Sequence, residues 1–136
     1  MIIFDASAVV SAALKEESIP GQALLWADRN EVFALSEPVH HEISGVLDRQ
    51  RFALSISPER KRTVMGVIRD RASWWSPTLQ VTDCRDAKDN KYLELALASQ
   101  AKIIVSGDND LLILDPWRGV RILRPAEYLS RTTSPP

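Results

Sequence analysis

Six carboxylates stand at or shortly after the ends of short apolar runs. Asp5 closes MIIF, Glu42 lies in VHHEISGVL, Asp86 and Asp89 belong to CRDAKDN, and Asp108 and Asp110 follow KIIVS in GDND. Taken singly, each has a plain reading as a helix cap, a first-turn acid favoured by the helix dipole, or a solvated helix residue. Asp5 is the exception, because a carboxylate abutting MIIF must be desolvated or partnered, and an unpaired buried charge is costly. If the acids converge, each close pair repels by roughly 4 kcal/mol at an effective dielectric near 20. A positive centre must then sit among them. Hard oxygen donors suit Mg²⁺ or Mn²⁺, which prefer carboxylate and water. His40 and His41 precede Glu42, but their adjacent spacing matches no zinc pattern. A carboxylate-held cation of this kind acidifies a coordinated water and neutralises charge building on phosphoryl oxygens, so the substrate implied is a phosphodiester. Ser7 stands beside Asp5, and Ser106 and Asn109 flank Asp108, where their polar groups can orient the carboxylates or a water.

The elements that must position these groups are legible as alternating strands and helices. MIIF, EVFALS, TLQVT, KIIVS and GVRIL read as strands. SAVVSAALKEE reads as a helix, Pro20-Gly21 as a break, and QALLWADRN as a second short helix. Ser36-Glu37-Pro38 and Ser57-Pro58-Glu59 are helix starts, the second opening a long amphipathic stretch that ends near Trp74-Trp75. KYLELALASQ has helical composition, GDNDLLIL turns into a short helix, PAEYL reads as one last helical turn, and SRTTSPP has the composition of a tail. This alternation implies right-handed crossovers and a mainly parallel sheet of about five strands, covered by helices on both faces. Ligands of such sheets bind beyond the carboxyl ends of the strands, where the acids fall. The expected organisation is one domain over 1–130 and a flexible C-terminal tail over 131–136.

Bulk properties agree with one globular unit. The chain has 136 residues, 45% of them apolar, and a net charge of -1. Its one cysteine, Cys84, excludes an internal disulfide and a thiolate metal site. With no basic leader ahead of an apolar run and no membrane-length apolar stretch, a cytoplasmic location away from membranes is expected. The charges are segregated along the chain. Seven basic residues from Arg49 to Arg71 face two acids, Glu59 and Asp70, whereas seven acids from Asp83 to Asp115 face four basic residues. A basic flank beside an acidic pocket would hold a polyanion at the rim of a cation site, although a solvated helix face explains the arginines equally well. The candidates for phosphate contacts are Arg49, Arg51, Arg60, Arg62, Arg69 and Arg71. Trp74-Trp75 either marks an interface or packs at a helix end.

These segments resemble the PIN-domain family, and within it the VapC-type toxin components of bacterial toxin-antitoxin pairs. IIFDASAVVSAAL is similar to the family's opening strand and first acid, LSEPVHHEISGVL to the segment of the second acid, CRDAKDNKYLELALASQAKIIVSGDNDLLIL to the segments of the third and fourth, and VRILRPAEYL to the closing strand and turn. The resemblance implies a three-layer αβα PIN-like fold and a metal-dependent endoribonuclease. Asp5, Glu42, Asp89 and Asp108 form its acidic quartet and hold Mg²⁺ or Mn²⁺, with Ser7, Asp86, Ser106, Asn109 and Asp110 in support. The third acid is placed at Asp89 because it stands seven residues before Ala96, with Asp86 a close competitor. Two positions depart from the family's habit: Ala6 follows the first acid where a threonine is usual, and Ser106 replaces a threonine. The resemblance further implies an RNA substrate, a cognate antitoxin protein and a homodimer.

Other classes make different demands. A receiver-like signalling module needs a paired acid after strand one and a lysine before the last proline, where this chain has Asp5 alone and Arg124-Pro125. An aspartyl-phosphate hydrolase usually has a second aspartate two residues after the first, and position 7 is serine. A non-catalytic RNA- or protein-binding domain with a structural cation would bind RNA without cutting it.

Overall fold

The structure is a computed structural model that describes residues 1–49 and 54–133. Its central strand is β1 (Ile2–Phe4), whose three side chains are all buried. Parallel to it runs β4 (Ile103–Val105), with Ile2 opposite Ile103 and Phe4 opposite Val105, and β5 (Arg121–Leu123) lies parallel on the far side of β4. A second parallel pair, β2 (Ala34–Leu35) with β3 (Ser73–Trp74), joins the other edge of β1 through a bridge between Ile2 and Phe33. The spatial order is thus β3-β2-β1-β4-β5. The chain leaves β1 toward β2 on one side and returns from β3 to β4 on the other. The carboxyl ends of β1 and β4 therefore flank the switch point, where open α/β sheets bind their ligands.

Among the described residues seven α-helices accompany the sheet: α1 (Ala6–Leu14), α2 (Ile19–Asn30), α3 (Glu37–Leu47), α4 (Pro58–Arg69), α5 (Asn90–Ser99), α6 (Asn109–Leu112) and α7 (Pro125–Thr133). Their starts follow the local chemistry. Ser36 and Ser57 cap α3 and α4 by accepting the N–H groups of Val39 and Arg60, and a proline occupies the first turn of each. α1 packs on α2, α3 and α4, while α5 packs on β2, β4 and α3. This places α3 against both the α1 and the α5 sides of the switch point.

Several expectations need correction. Pro20-Gly21 opens α2 rather than breaking the chain: Ser18 caps it, and a Cβ at Gly21 would lie 2.1 Å from the Glu16 carbonyl oxygen, so only glycine fits. The amphipathic stretch stops at Arg69, and Trp74 belongs to β3. TLQVT is not a strand. The Val81 N–H donates to the Glu94 carboxylate at 2.9 Å instead of to a ladder partner. PAEYL extends into a nine-residue helix reaching Thr133, three residues into the expected tail; residues 134–136 lie outside the described residues. Tyr128 anchors that helix, meeting Phe4 edge-on at 6.2 Å and donating its hydroxyl to Glu31. No helix among the described residues is long and apolar enough to cross a membrane.

Candidate active site

The turn after β1 delivers the first acid. Asp5 has extended backbone geometry and caps α1: its Oδ1 accepts the Ala8 N–H at 2.9 Å and the Ser7 hydroxyl at 2.7 Å. Its Oδ2 accepts the Ser106 hydroxyl, and its own N–H donates to the Val105 carbonyl at 3.0 Å. Asp5 is 2% exposed. Burial pushes its pKa up to about 6, with the hydrogen bonds from Ser106, Ser7 and Ala8 working in the opposite direction. The question raised by a carboxylate after MIIF thus has a local answer: every oxygen is hydrogen-bonded, and the side chain ties β1 to β4.

The turn after β4 is held by the same hydroxyls. The Asp108 N–H donates to Ser106 Oγ at 2.9 Å, and the Gly107 N–H donates to Ser7 Oγ at 3.0 Å. Asp108 in turn caps α6 by accepting the Asp110 N–H at 2.9 Å. The third segment arrives as a 3-10 turn, Ala87–Asp89, capped by Asp86 through the Lys88 N–H. Asp86, Asp89 and Asp108 each bring a carboxylate oxygen to within 4.8 Å of the others. Asp89 is 8% exposed, and its Oδ2 is buried without a hydrogen-bond partner. Burial and the neighbouring Asp108 carboxylate push the Asp89 pKa up to about 8.

Three crowded hard-oxygen donors, one of them buried and orphaned, fit a divalent cation of the Mg²⁺ or Mn²⁺ type. A cation there would offset the repulsion between Asp89 and Asp108 that helps to raise the Asp89 pKa.

Asp5 and Glu42 line the same cleft of about 190 Å³ as these three acids, but both are already engaged. Glu42 Oε2 pairs with the Lys91 ammonium at 2.7 Å, and Glu42 Oε1 accepts the Tyr92 hydroxyl. Tyr92 oxygen accepts the Ala6 N–H at 3.0 Å, so its single proton is the one given to Glu42. Burial and the nearby carboxylates raise the Tyr92 pKa and keep the phenol neutral. A chain of contacts thus runs from the start of α1 through α5 to α3.

The supporting residues divide. Ser7 donates to Asp5, and Ser106, expected beside Asp108, donates its hydroxyl to Asp5 and accepts only the Asp108 backbone N–H. Asn109 is exposed and accepts from Arg124 at 3.1 Å, so it braces the β5 side instead of orienting Asp108. Asp110 contributes its backbone, giving its N–H to Asp108 and accepting the Cys84 thiol at its carbonyl.

The arginine set disperses. Arg49 lines the cleft. Arg60 is half-buried and donates to the Ala12 carbonyl at 3.0 Å, and Arg71 holds Asp28 at 2.7 Å. Arg62 and Arg69 pair with Glu59 and Asp70, each at 3.9 Å. Arg51 lies outside the described residues. His40 packs against Trp74 with tilted rings, 5.4 Å between centroids, and is not among the residues lining the cleft.

Tyr92 and Lys88, which line the cleft, and Lys91, which pairs with Glu42 beside it, are the residues that sequence reasoning missed. The signal was available: all three fall within a turn of Asp89, and Lys91 and Tyr92 open α5 directly behind the acid. A family model described as a PIN domain matches residues 1–110. Comparison with curated proteins and with solved structures gives no match.

Proposed function

The chain belongs to the PIN-domain family, whose members are typically nucleases, and from that premise we propose that it is a divalent-metal-dependent endoribonuclease acting as the toxin of a toxin-antitoxin pair. One observation carries the metal dependence: Asp86, Asp89 and Asp108 meet within 4.8 Å, with a buried Asp89 oxygen left unsatisfied. These three would hold Mg²⁺ or Mn²⁺, while Asp5 and Glu42 complete the acidic wall. When bound, such a cation acidifies a coordinated water and neutralises charge on the phosphoryl oxygens of the substrate.

The chain's own residues do the positioning. Ser7 and Ser106 tie the turn after β1 to the turn after β4, which fixes Asp5 relative to the start of the Asp108 turn. Glu42 fixes the Lys91 ammonium beside the cleft, and Arg49 and Lys88 are among the residues that line it. These cations face the place where a phosphate chain must approach an acidic floor, and they lower the repulsion it meets there. An RNA substrate, a small antitoxin that covers the cleft, a homodimer and action in the cytoplasm all follow from the VapC-type resemblance of the acidic segments. Residues 1–130 are proposed to act as one unit, since residues 111–133, beyond the matched segment, supply β5 and α7 to the same fold.

The test is incubation of the purified protein with total RNA in Mg²⁺, Mn²⁺ or chelator, with fragment ends mapped. Wild-type protein should cut only with metal and leave 5′ phosphates, and Asp108→Asn should not cut. Chelator-insensitive cleavage would refute the metal assignment. RNA bound but never cut would favour a non-catalytic module. Growth arrest on expression of wild type but not of Asp108→Asn tests the toxin role.

A further inference from the structure

Three consecutive side chains at the start of α5 reach three acid-bearing segments. Asn90 accepts the Cys84 N–H at 2.9 Å and donates to the Ala87 carbonyl at 3.3 Å, closing the loop that carries Asp86. Lys91 places its ammonium 2.7 Å from Glu42 Oε2. Tyr92 gives its hydroxyl proton to Glu42 Oε1 and accepts the N–H of Ala6, the residue after Asp5, at 3.0 Å. Successive helix residues point in different directions, so the single turn that follows Asp89 serves all three segments.

The two donors to Glu42 differ in kind. An ammonium is a point charge on a flexible stem with three rotatable donors, so Lys91 neutralises Glu42 without fixing its orientation. The Tyr92 hydroxyl carries one proton on a rigid ring, and that residue is 1% exposed. Because its oxygen already accepts from Ala6, the proton is left to Glu42. The ring serves the core, but a buried hydroxyl must find partners, and both of its partners, Ala6 and Glu42, line the cleft.

We propose that Tyr92 is a positioning residue of this cleft, a role that rests on the metal-dependent nuclease reading: its hydroxyl orients Glu42 toward the divalent cation and ties it to the turn that carries Asp5. Tyr128 supplies the contrast. It is also 1% exposed, and its hydroxyl also goes to a glutamate, Glu31, but neither of these residues lines the cleft. A tyrosine hydroxyl that serves the fold alone would behave like that of Tyr128.

The experiment measures Mn²⁺ binding to chelator-stripped protein by electron paramagnetic resonance, below the melting temperature of every variant, and cleavage of an RNA oligonucleotide by the same proteins. Wild type is compared with Tyr92→Phe, Glu42→Gln, the double variant and Tyr128→Phe. Tyr92→Phe should weaken Mn²⁺ binding about tenfold, the lower end of the cost of losing the partner of a metal-facing group. Glu42→Gln should weaken it at least as much, and the double variant no further, because Tyr92 acts through Glu42. Tyr128→Phe should bind Mn²⁺ as wild type does, although it also loses a buried hydrogen bond. In cleavage, the Mn²⁺ concentration for half-maximal rate should rise in Tyr92→Phe by the same factor, with KM for RNA unchanged. Parental Mn²⁺ affinity in Tyr92→Phe or in Glu42→Gln would overturn the proposal, as would losses that multiply in the double variant or an equal loss in Tyr128→Phe. If wild type binds Mn²⁺ but cuts no RNA, the nuclease reading fails, while the binding cycle still decides the role of Tyr92. Wild type that takes up no Mn²⁺ overturns both.

Discussion

Acids far apart in the sequence converge, whereas arginines close together in it scatter. Asp5 and Ser106, 101 residues apart, share a hydrogen bond, and Asp86, Asp89 and Asp108 crowd within 4.8 Å. Arg60 and Arg62 are neighbours on α4, yet one is pinned to the Ala12 carbonyl and the other pairs with Glu59 in solvent. The difference is geometric. Residues two apart on a helix face different directions, so a run of like charges along a helix does not make a patch. Residues at the carboxyl ends of adjacent parallel strands are brought together by the sheet, whatever their separation in the chain.

The sharpest way to break this comparison is to remove the most frustrated member of the acidic group. Asp89→Asn should lower nuclease activity by at least about 100-fold, in line with the loss of a metal-holding group. In chelator at neutral pH its melting temperature should rise, because folding must protonate Asp89, whose pKa is raised to about 8, whereas the amide needs no proton. A variant that lost activity and stability together would show that Asp89 serves the fold.

A titration sharpens the same contrast. Asp5 is raised to about 6 and Asp89 to about 8. Both groups hold protons in the folded state at pH values where the unfolded chain has released them. The folded protein thus binds more protons than the unfolded chain between about pH 4 and pH 8, and its stability falls as pH rises through that window. Asp5 alone contributes on the order of 3 kcal/mol to the fall, since one pKa unit corresponds to about 1.36 kcal/mol. Melting in chelator should show the decline, and Mg²⁺ should remove most of it by favouring the ionised carboxylates. A flat chelator profile would mean that the acids are not desolvated.

Tyr92→Phe tests the contact chain behind the acids. It leaves the Ala6 N–H without its buried acceptor and Glu42 without one donor, a cost of about 1–3 kcal/mol in denaturant unfolding. Least affected should be Arg62→Ala, whose exposed pair with Glu59 at 3.9 Å is worth at most about 0.5 kcal/mol. Its RNA affinity should exceed that of Arg49→Ala. The reverse ranking would restore a basic track along α4.

Much of the fold was legible because periodicity and capping are local. MIIF, KIIVS and GVRIL contain strands of the sheet, and Ser36-Glu37-Pro38 and Ser57-Pro58-Glu59 start helices. The misreadings arose where the deciding partner is distant. TLQVT has strand composition, but the place beside β2 is filled by Ser73–Trp74. Pro20-Gly21 has turn composition, but Ser18 and the close Glu16 carbonyl make it a helix start. Tyr92 belongs to KYLELALASQ, legible only as a helix, and only the position of α3 shows that its hydroxyl joins Ala6 to Glu42.

The sequence by itself determined the kinds of donor available, hard carboxylate oxygens with two hydroxyls beside them, and the placement of Asp5 and Asp108 after strands. It could do so because residue chemistry and strand ends are properties of short segments. Only the tertiary structure decided which acids stand free and which are engaged. Asp5 and Glu42 are satisfied by Ser106, Tyr92 and Lys91 from other elements, while Asp89 keeps a buried oxygen without a partner. Burial and hydrogen bonding depend on what the packed sheet and helices bring alongside each side chain, and no short stretch of sequence contains that.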